Sequence, residues 1–261
     1  MSSNRFNARE ILEASRPLIG GWVMIDSLMA AETLFALDYD YVGIDCQHSL
    51  IDMTQALKLL PSGQGKAPAG LIRVSHNNVA EIGRALDGGA DGVIVPMVNS
   101  AAEAALAVAA CCYHPIGQRS FGPFRAGLGG NIAALQQRAC FVMVETEAGL
   151  MNVDAIAATE GVTGLYAGPG DLAIALGLSV LTMPTPALLA DALTRIARAA
   201  RNNGIIPAIH AVSPEQAAEF SPLGYAMITL GADLPYLRAG AAADLGALQD
   251  LFSIESRERT K

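Results

Sequence analysis

The sequence predicts an α/β protein built as a TIM-type (β/α)8 barrel in a single domain. Short β-rich runs alternate with longer Ala/Leu-rich amphipathic stretches, and eight such units fit within the 261 residues. The composition is 52% hydrophobic, 16% charged and only 5% aromatic, so the apolar mass is Ala, Leu, Val and Ile, as suits helices packed on buried parallel strands. No Pro/Gly/Ser-rich linker divides the chain. These features favour a closed barrel over an open doubly wound sheet.

The elements follow in order. Residues 18–25 read as the first strand and 28–37 as the helix behind it. Residues 41–45 form the second strand, and Asp52 caps a helix reaching Leu60. Residues 70–74 are the third strand, with Asn77 opening a helix to Asp87. Residues 92–96 are the fourth strand, and Ser100 begins the Ala-rich helix after it. Residues 141–145 give strand five, followed by a helix over 150–158. Residues 164–167 give strand six, with a short helix beyond Asp171. A long helix covers 188–201, strand seven 205–209, and Ser213-Pro214 starts the next helix as a cap followed by proline. Residues 225–230 close the set, with a helical region after them. Residues 113–138, rich in Gly, Pro and Arg, are too long for an ordinary connection and are expected to serve substrate choice or an interface. Residues 1–6 and 256–261 are expected to be flexible ends.

Charge and motifs narrow the function. The net charge is −8 without a basic stripe, which argues against nucleic acid as a partner. No apolar run approaches the roughly 18–20 residues of a membrane span, and the first residues hold Arg5, Arg9 and Glu10 instead of a hydrophobic leader, so a cytoplasmic location is expected. The cysteines at 46, 111, 112 and 140 lack CxxC spacing, so neither disulfides nor a thiolate metal cluster is expected. Of the three lysines, Lys58, Lys66 and Lys261, none falls at a strand end, which argues against Schiff-base chemistry. Neither a GxSxG elbow nor a glycine-rich nucleotide loop follows the first strand.

In a barrel the reacting groups sit at the C-terminal ends of the strands. Those positions hold Trp22, Asp45 with His48, Arg73, Glu145, and the run Gly168-Pro169-Gly170-Asp171. Glu145 follows an apolar strand, where a carboxylate needs an ion pair or a metal. Asp171 could simply cap its helix, but two carboxylates on adjacent strand ends also suit a hard cation such as Mg²⁺ or Mn²⁺. The glycines let backbone N–H groups approach a substrate carboxylate. Arg73 ends a buried strand and needs an anionic partner, structural or substrate. Asp45 and His48 could form an oriented acid–base pair, although a plain loop histidine is the commoner outcome. His76, His114 and His210 have no comparable setting, and Trp22 alone reads as packing.

Taken together, these residues resemble the HpcH/HpaI class II pyruvate aldolases. The likeness rests on Gly20-Gly21-Trp22, Ile44-Asp45-Cys46-Gln47-His48, Leu71-Ile72-Arg73, Val95-Pro96-Met97-Val98, Tyr113-His114-Pro115-Ile116-Gly117-Gln118-Arg119, Gly122-Pro123-Phe124-Arg125-Ala126, Val144-Glu145-Thr146 and Gly168-Pro169-Gly170-Asp171-Leu172. The resemblance implies a homo-hexamer, a trimer of dimers, with the last helix exchanged between neighbours. It implies a divalent ion (Mg²⁺, Mn²⁺ or Co²⁺) on Glu145 and Asp171, with Arg73 on the pyruvate oxo oxygen. His48 would be the base, supported by Asp45, and Asp87 would reach the base from an adjacent subunit. The backbone of Gly170 and Asp171 would take the pyruvate carboxylate, in a substrate pocket that includes Trp22 and Met143. Two departures stand out: Gln47 where members often have Glu, and Met143 where they often have Gln. Met143 shares the inward face with Glu145 by strand alternation, which removes a hydrogen bond to the oxo acid.

The implied reaction is cleavage or formation of a 4-hydroxy-2-oxo acid from pyruvate or hydroxypyruvate and an aldehyde. A lyase acting on acyl-CoA esters is the alternative enzyme; it would need basic residues for the nucleotide phosphates, for which Arg119 and Arg125 are the candidates. An idle barrel retained for binding or assembly is the non-enzymatic alternative, motivated by Gln47 and Met143.

Overall fold

Side chains alternate along each strand, and this alternation sorts the chain into two apolar layers in the computed structural model. The structure describes residues 5–61, 68–125, 132–136, 138–180 and 183–258. The elements run α1 (Ala8–Glu13), β1 (Leu18–Val23), α2 (Leu28–Phe35), β2 (Tyr41–Asp45), α3 (Met53–Leu59), β3 (Ala69–Arg73), α4 (Val79–Asp87), β4 (Gly92–Val95), α5 (Ala101–Cys111) and α6 (Ile132–Gln136). They continue with β5 (Ala139–Val144), α7 (Glu147–Met151), α8 (Val153–Ala157), β6 (Gly164–Ala167), α9 (Pro169–Ala175), α10 (Ala187–Asn202), β7 (Ile206–Ala211), α11 (Pro214–Phe220), β8 (Met227–Leu230) and α12 (Asp233–Glu258). Each strand pairs in parallel with the next and β8 returns to β1, closing the barrel.

The inward layer contains Trp22, Tyr41, Leu71, Phe141, Met143, Tyr166, Ala208 and Met227. Phe6 closes the base, edge-on to Phe141 at 5.4 Å between ring centroids. At the centre, Thr229 Oγ1 is hydrogen-bonded to the hydroxyls of Tyr41 at 2.8 Å and Tyr166 at 2.5 Å, so the polar atoms of the barrel interior satisfy one another. The outward layer packs Val42, Ile44, Ile72, Val142, Leu165 and Ile209 against helix residues such as Leu34, Ile82, Leu86, Leu193 and Ile196.

Caps set the helix starts. Asp52 and Gln55 form a reciprocal capping box on α3, Ser100 accepts from Glu103 N, and Ser213 accepts from Gln216 N. Three expectations need correction. Asn78, not Asn77, caps α4, while Asn77 instead donates to Glu103 O at 2.9 Å. The expected helix over 150–158 is two short ones that meet at Asn152. Gly168, not Asp171, occupies the cap of α9, because Pro169 takes its first turn. The C-terminal helix extends to Glu258, so the tail expected to fray from 256 is helical that far; residues 1–4 and 259–261 lie outside the described set, as do 126–131 and 137 of the long loop. All four cysteines are free thiols, and no described helix is long and apolar enough to cross a membrane.

Trp22 pairs in register with Gly43 on β2, and a Cβ at Gly43 would lie inside the indole's contact envelope. Gly43→Ala should therefore overpack the barrel, lowering stability by about 1–3 kcal/mol. Urea unfolding followed by tryptophan emission checks this directly, since Trp22 is the single tryptophan. Unchanged stability and emission would mean that the indole is not seated against β2.

Candidate active site

The inward phase of each strand continues past its last paired residue, so polar side chains there point into one cavity. That cavity has a volume of about 270 Å³ and lies at the C-terminal end of the barrel. It is lined by Trp22, Asp45, His48, Arg73, Met143, Glu145, Gly170 and Asp171, so all but one of the residues expected in the site come together.

Asp45 and Arg73 stand opposite each other in the β2–β3 register. The Arg73 guanidinium donates twice to the carboxylate, Nε to Oδ1 at 2.8 Å and Nη2 to Oδ2 at 2.5 Å. Its charge also lies over the Trp22 ring, 5.2 Å from the centroid. Burial alone would raise the Asp45 pKa. The Arg73 hydrogen bonds and charge, with N–H donors from Gln47 and His48, outweigh it and hold the carboxyl below the usual range. Asp45 thus meets His48 through the backbone N–H at 3.3 Å, while its carboxylate is committed to Arg73. The expected support of the His48 imidazole by Asp45 is replaced by support of the loop that carries it. His48 itself is exposed at the cavity mouth.

Glu145 follows β5 and is buried. Its Oε1 accepts the Met97 N–H at 2.7 Å; Met97 sits at φ 57°, a left-handed conformation unusual for a side-chain-bearing residue, which turns that N–H toward the carboxylate. A Cβ at Gly168 would lie 2.6 Å from Glu145 Oε2, so glycine there keeps room for the second oxygen. Burial raises the Glu145 pKa most, the Met97 N–H opposes it, and the charge of Asp171 raises it further. Asp171 is in the first turn of α9 but does not cap it, so its carboxylate faces the same cavity.

Glu145 is buried and Asp171 exposed at the cavity edge, and a shared cation would stabilise the two like charges, both hard oxygen donors. The donor set therefore fits a divalent ion such as Mg²⁺, which commonly takes one or two carboxylates and fills its remaining positions with water and substrate. Among the described residues there is no cluster of three or more His, Cys, Asp or Glu placed to hold an ion.

Asp87 is the residue that does not join. It ends α4, at the opposite end of the barrel, where Arg119 Nη2 donates to its Oδ1 at 2.5 Å and the N–H groups of Phe124 and Arg125 donate to its carbonyl. A role for Asp87 in catalysis therefore requires the cavity of another copy. The described part of the 113–138 loop lies at this far end too and lines none of the cavity within its own subunit. Lys58 is in the last turn of α3, away from the cavity, and Lys66 and Lys261 fall outside the described residues.

The sequence reading missed His210. It lies on the inward face of β7, two residues after Ala208, and joins the cavity edge-on to Trp22 at 5.3 Å between centroids. Burial chiefly, and then the Arg73 charge, push its pKa down to about 4, against a smaller opposing effect of Asp45. Gln216 of α11 and Tyr166 of β6 were missed as well. Strand phase carries the signal for His210 and Tyr166.

With this geometry in place, a sequence profile of the family described as HpcH/HpaI aldolase/citrate lyase matches residues 18–239. The hydroxypyruvate/pyruvate aldolase of Rhizorhabdus wittichii is 36% identical over 230 residues, covering 87% of this chain and 92% of that protein. The 5-keto-4-deoxy-D-glucarate aldolase of Escherichia coli K12 is 32% identical over 243 residues, covering 90% and 93%. A crystal structure of an HpcH/HpaI aldolase/citrate lyase family protein from Burkholderia cenocepacia J2315 superposes with a TM-score of 0.82 at 28% identity, covering 93% and 98%.

The Asp45–Arg73 pair generates a pH prediction. Asp45 is held below its unfolded value of about 3.9, so its contribution to stability is present above that pH and is lost as pH falls through the lowered folded value. Asp45→Asn should lower stability by roughly 3 kcal/mol at pH 7 by stranding the guanidinium, with the deficit shrinking at pH 3 and below. Urea midpoints at the two pH values measure this; an equal deficit at both would contradict the pairing.

Proposed function

We propose a metal-assisted carbon–carbon lyase, on the premise that the chain belongs to the HpcH/HpaI aldolase/citrate lyase family, as the match over residues 18–239 establishes. The substrate is a 4-hydroxy-2-oxo acid, cleaved to pyruvate or hydroxypyruvate and an aldehyde, or assembled from them. The observation that carries this reading is the paired arrangement of one guanidinium, Arg73, facing two carboxylates, Glu145 and Asp171, across one small cavity.

When bound at Glu145 and Asp171, a divalent cation supplies Lewis-acid polarisation of the oxo acid, worth several kcal/mol. Arg73, already aimed by Asp45, donates to the oxo oxygen and stabilises the negative charge that develops there. His48 accepts the proton of the 4-hydroxyl as the C3–C4 bond breaks and its electron pair enters the enolate; that proton, or one exchanged with solvent at the exposed mouth, is then delivered to C3 of the enolate to give the oxo acid. The N–H groups of Gly170 and Asp171 receive the substrate carboxylate. Trp22 and Met143 form apolar walls that exclude water, and Asp87 acts in the cavity of an adjacent copy.

The acyl-CoA alternative loses its phosphate ligands: Arg119 is buried in its pair with Asp87, and the Arg125 guanidinium is spent on the carbonyls of Leu57 and Leu60.

The assembly belongs to the same proposal. α12 spans 26 residues, or about 39 Å, and carries Leu237, Leu245, Leu248, Leu251 and Phe252 exposed. A neighbouring barrel is the cover we propose for this stripe, giving the hexamer with exchanged C-terminal helices in a cytoplasmic enzyme.

Three measurements test these roles. Pyruvate release after chelation should fall about 10²–10³-fold and return with Mg²⁺, Mn²⁺ or Co²⁺, and full activity in the metal-free protein would refute the Lewis-acid role. Arg73→Lys keeps a cation beside Asp45 but loses the fork, and should lower kcat about 10²–10³-fold with the fold intact by circular dichroism. It is a cleaner probe than Arg73→Ala, which would strand a buried carboxylate. Light scattering should give six copies, and Leu245→Asp with Leu248→Asp should yield smaller species; an unchanged mass would show that α12 does not build the assembly.

A further inference from the structure

The β7 side of the cavity holds polar groups without a net charge. His210 enters from β7, packed edge-on against Trp22. Its neutral ring, kept so mainly by burial and by Arg73, offers one N–H donor and one bare nitrogen acceptor. Gln216 enters from α11 and is 4% exposed. Its Oε1 accepts the Val212 N–H at 2.9 Å, and since a backbone N–H can only donate, the amide orientation is decided: the end left over is an NH2 with two donors. Met24, Met143 and Leu189 supply apolar surface to the same cavity.

The mechanism above uses neither His210 nor Gln216. A substrate carboxylate has better partners at the Gly170 and Asp171 N–H groups and at the cation site. An alkyl group placed here would leave imidazole and amide buried without partners, which is costly. The group that both donates and accepts, and so matches a neutral imidazole and an amide NH2 lining one cavity, is an alcohol.

We propose that His210, assisted by Gln216, is a specificity element that receives an alcoholic hydroxyl of the substrate, so that the enzyme favours a hydroxylated oxo acid or aldehyde over its unhydroxylated counterpart. This rests on the lyase reading and deepens it. The hydroxyl can sit on C3 of the oxo acid or on the aldehyde, and the chemistry of recognition is the same for both.

The test measures kcat/KM for two matched pairs in Mg²⁺-supplied protein: hydroxypyruvate against pyruvate with one aldehyde, and glycolaldehyde against acetaldehyde with pyruvate. The wild type should favour the hydroxylated member of at least one pair by about 10–100-fold. His210→Phe should erase that preference while changing the unhydroxylated member by less than about threefold. Gln216→Glu, which keeps the acceptor for Val212 N–H but removes the donors, should weaken it. His210→Asn, which can still donate and accept, should retain part of it, and serves if the Phe variant does not fold. The pair that responds identifies the reactant carrying the hydroxyl. No preference in either wild-type pair, or an equal loss on both members in His210→Phe, overturns the proposal and leaves His210 as packing for Trp22. Titration calorimetry of the four compounds reads the same preference without turnover. Hydroxyl-selective binding that depends on His210 in a protein without lyase activity would therefore sink the lyase reading alone.

Discussion

A fully buried carboxylate holding a guanidinium sets the geometry of this cavity. Asp45 and Arg73 face each other because β2 and β3 pair in that register, and neither charge would be tolerable there without the other. The two-point contact fixes the guanidinium plane, and the Trp22 ring beside it leaves it little freedom to swing away. The same carboxylate takes the N–H groups of Gln47 and His48. One acid therefore sets the position of the cation and of the loop presenting the exposed histidine. That layout differs from an acid working on an imidazole, and it moves the influence of Asp45 on His48 into the backbone.

Across the cavity the arrangement is reversed. Glu145 and Asp171 are of like sign, and partial compensation for Glu145 comes from one Met97 N–H and the more distant charge of Arg73. The backbone at Met97 is held in an unfavourable conformation to deliver that N–H, and Gly168 forgoes a side chain to leave the second oxygen clear. Strained or side-chain-free positions on both flanks of one carboxylate are hard to explain by stability alone, since an apolar residue at 145 would need neither.

The barrel was legible in the sequence because its signals are local. Apolar runs, the capping box at Asp52 and the caps at Ser100 and Ser213 each depend on neighbours within a few residues. The same proline rule that located Ser213 would have placed Gly168 at the start of α9 and freed Asp171 from capping, had it been applied there. His210 needed the phase of β7. With the strand ended at 209, the residue reads as loop; counting inward positions from Ile206 through Ala208 puts it in the cavity, and Pro207 within the strand obscures that count. Asp87 came from the resemblance, which assigned it to the cavity of an adjacent subunit; helix direction carries α4 back to the far end of the barrel and keeps Asp87 out of the cavity of its own subunit.

The polar groups around the cavity are segregated by strand: the Asp45–Arg73 ion pair at β2–β3, two anions at β5–β6 and the turn after it, and uncharged hydrogen-bonding groups at β7–α11. Such separation has a chemical consequence for any ligand with unlike ends. An oxo acid placed with its oxygens between Arg73 and the carboxylate pair has its remaining carbons directed toward the rest of the cavity, because the charged groups take the charged end. The neutral character of the β7 side then matters as much as its hydrogen bonds. A second cation there would compete for the oxo acid, and a carboxylate would compete with it for Arg73. A histidine whose protonated form is disfavoured by burial and by that same arginine does neither, so in the proposed reading the cation at the reacting end also favours neutrality on the β7 side.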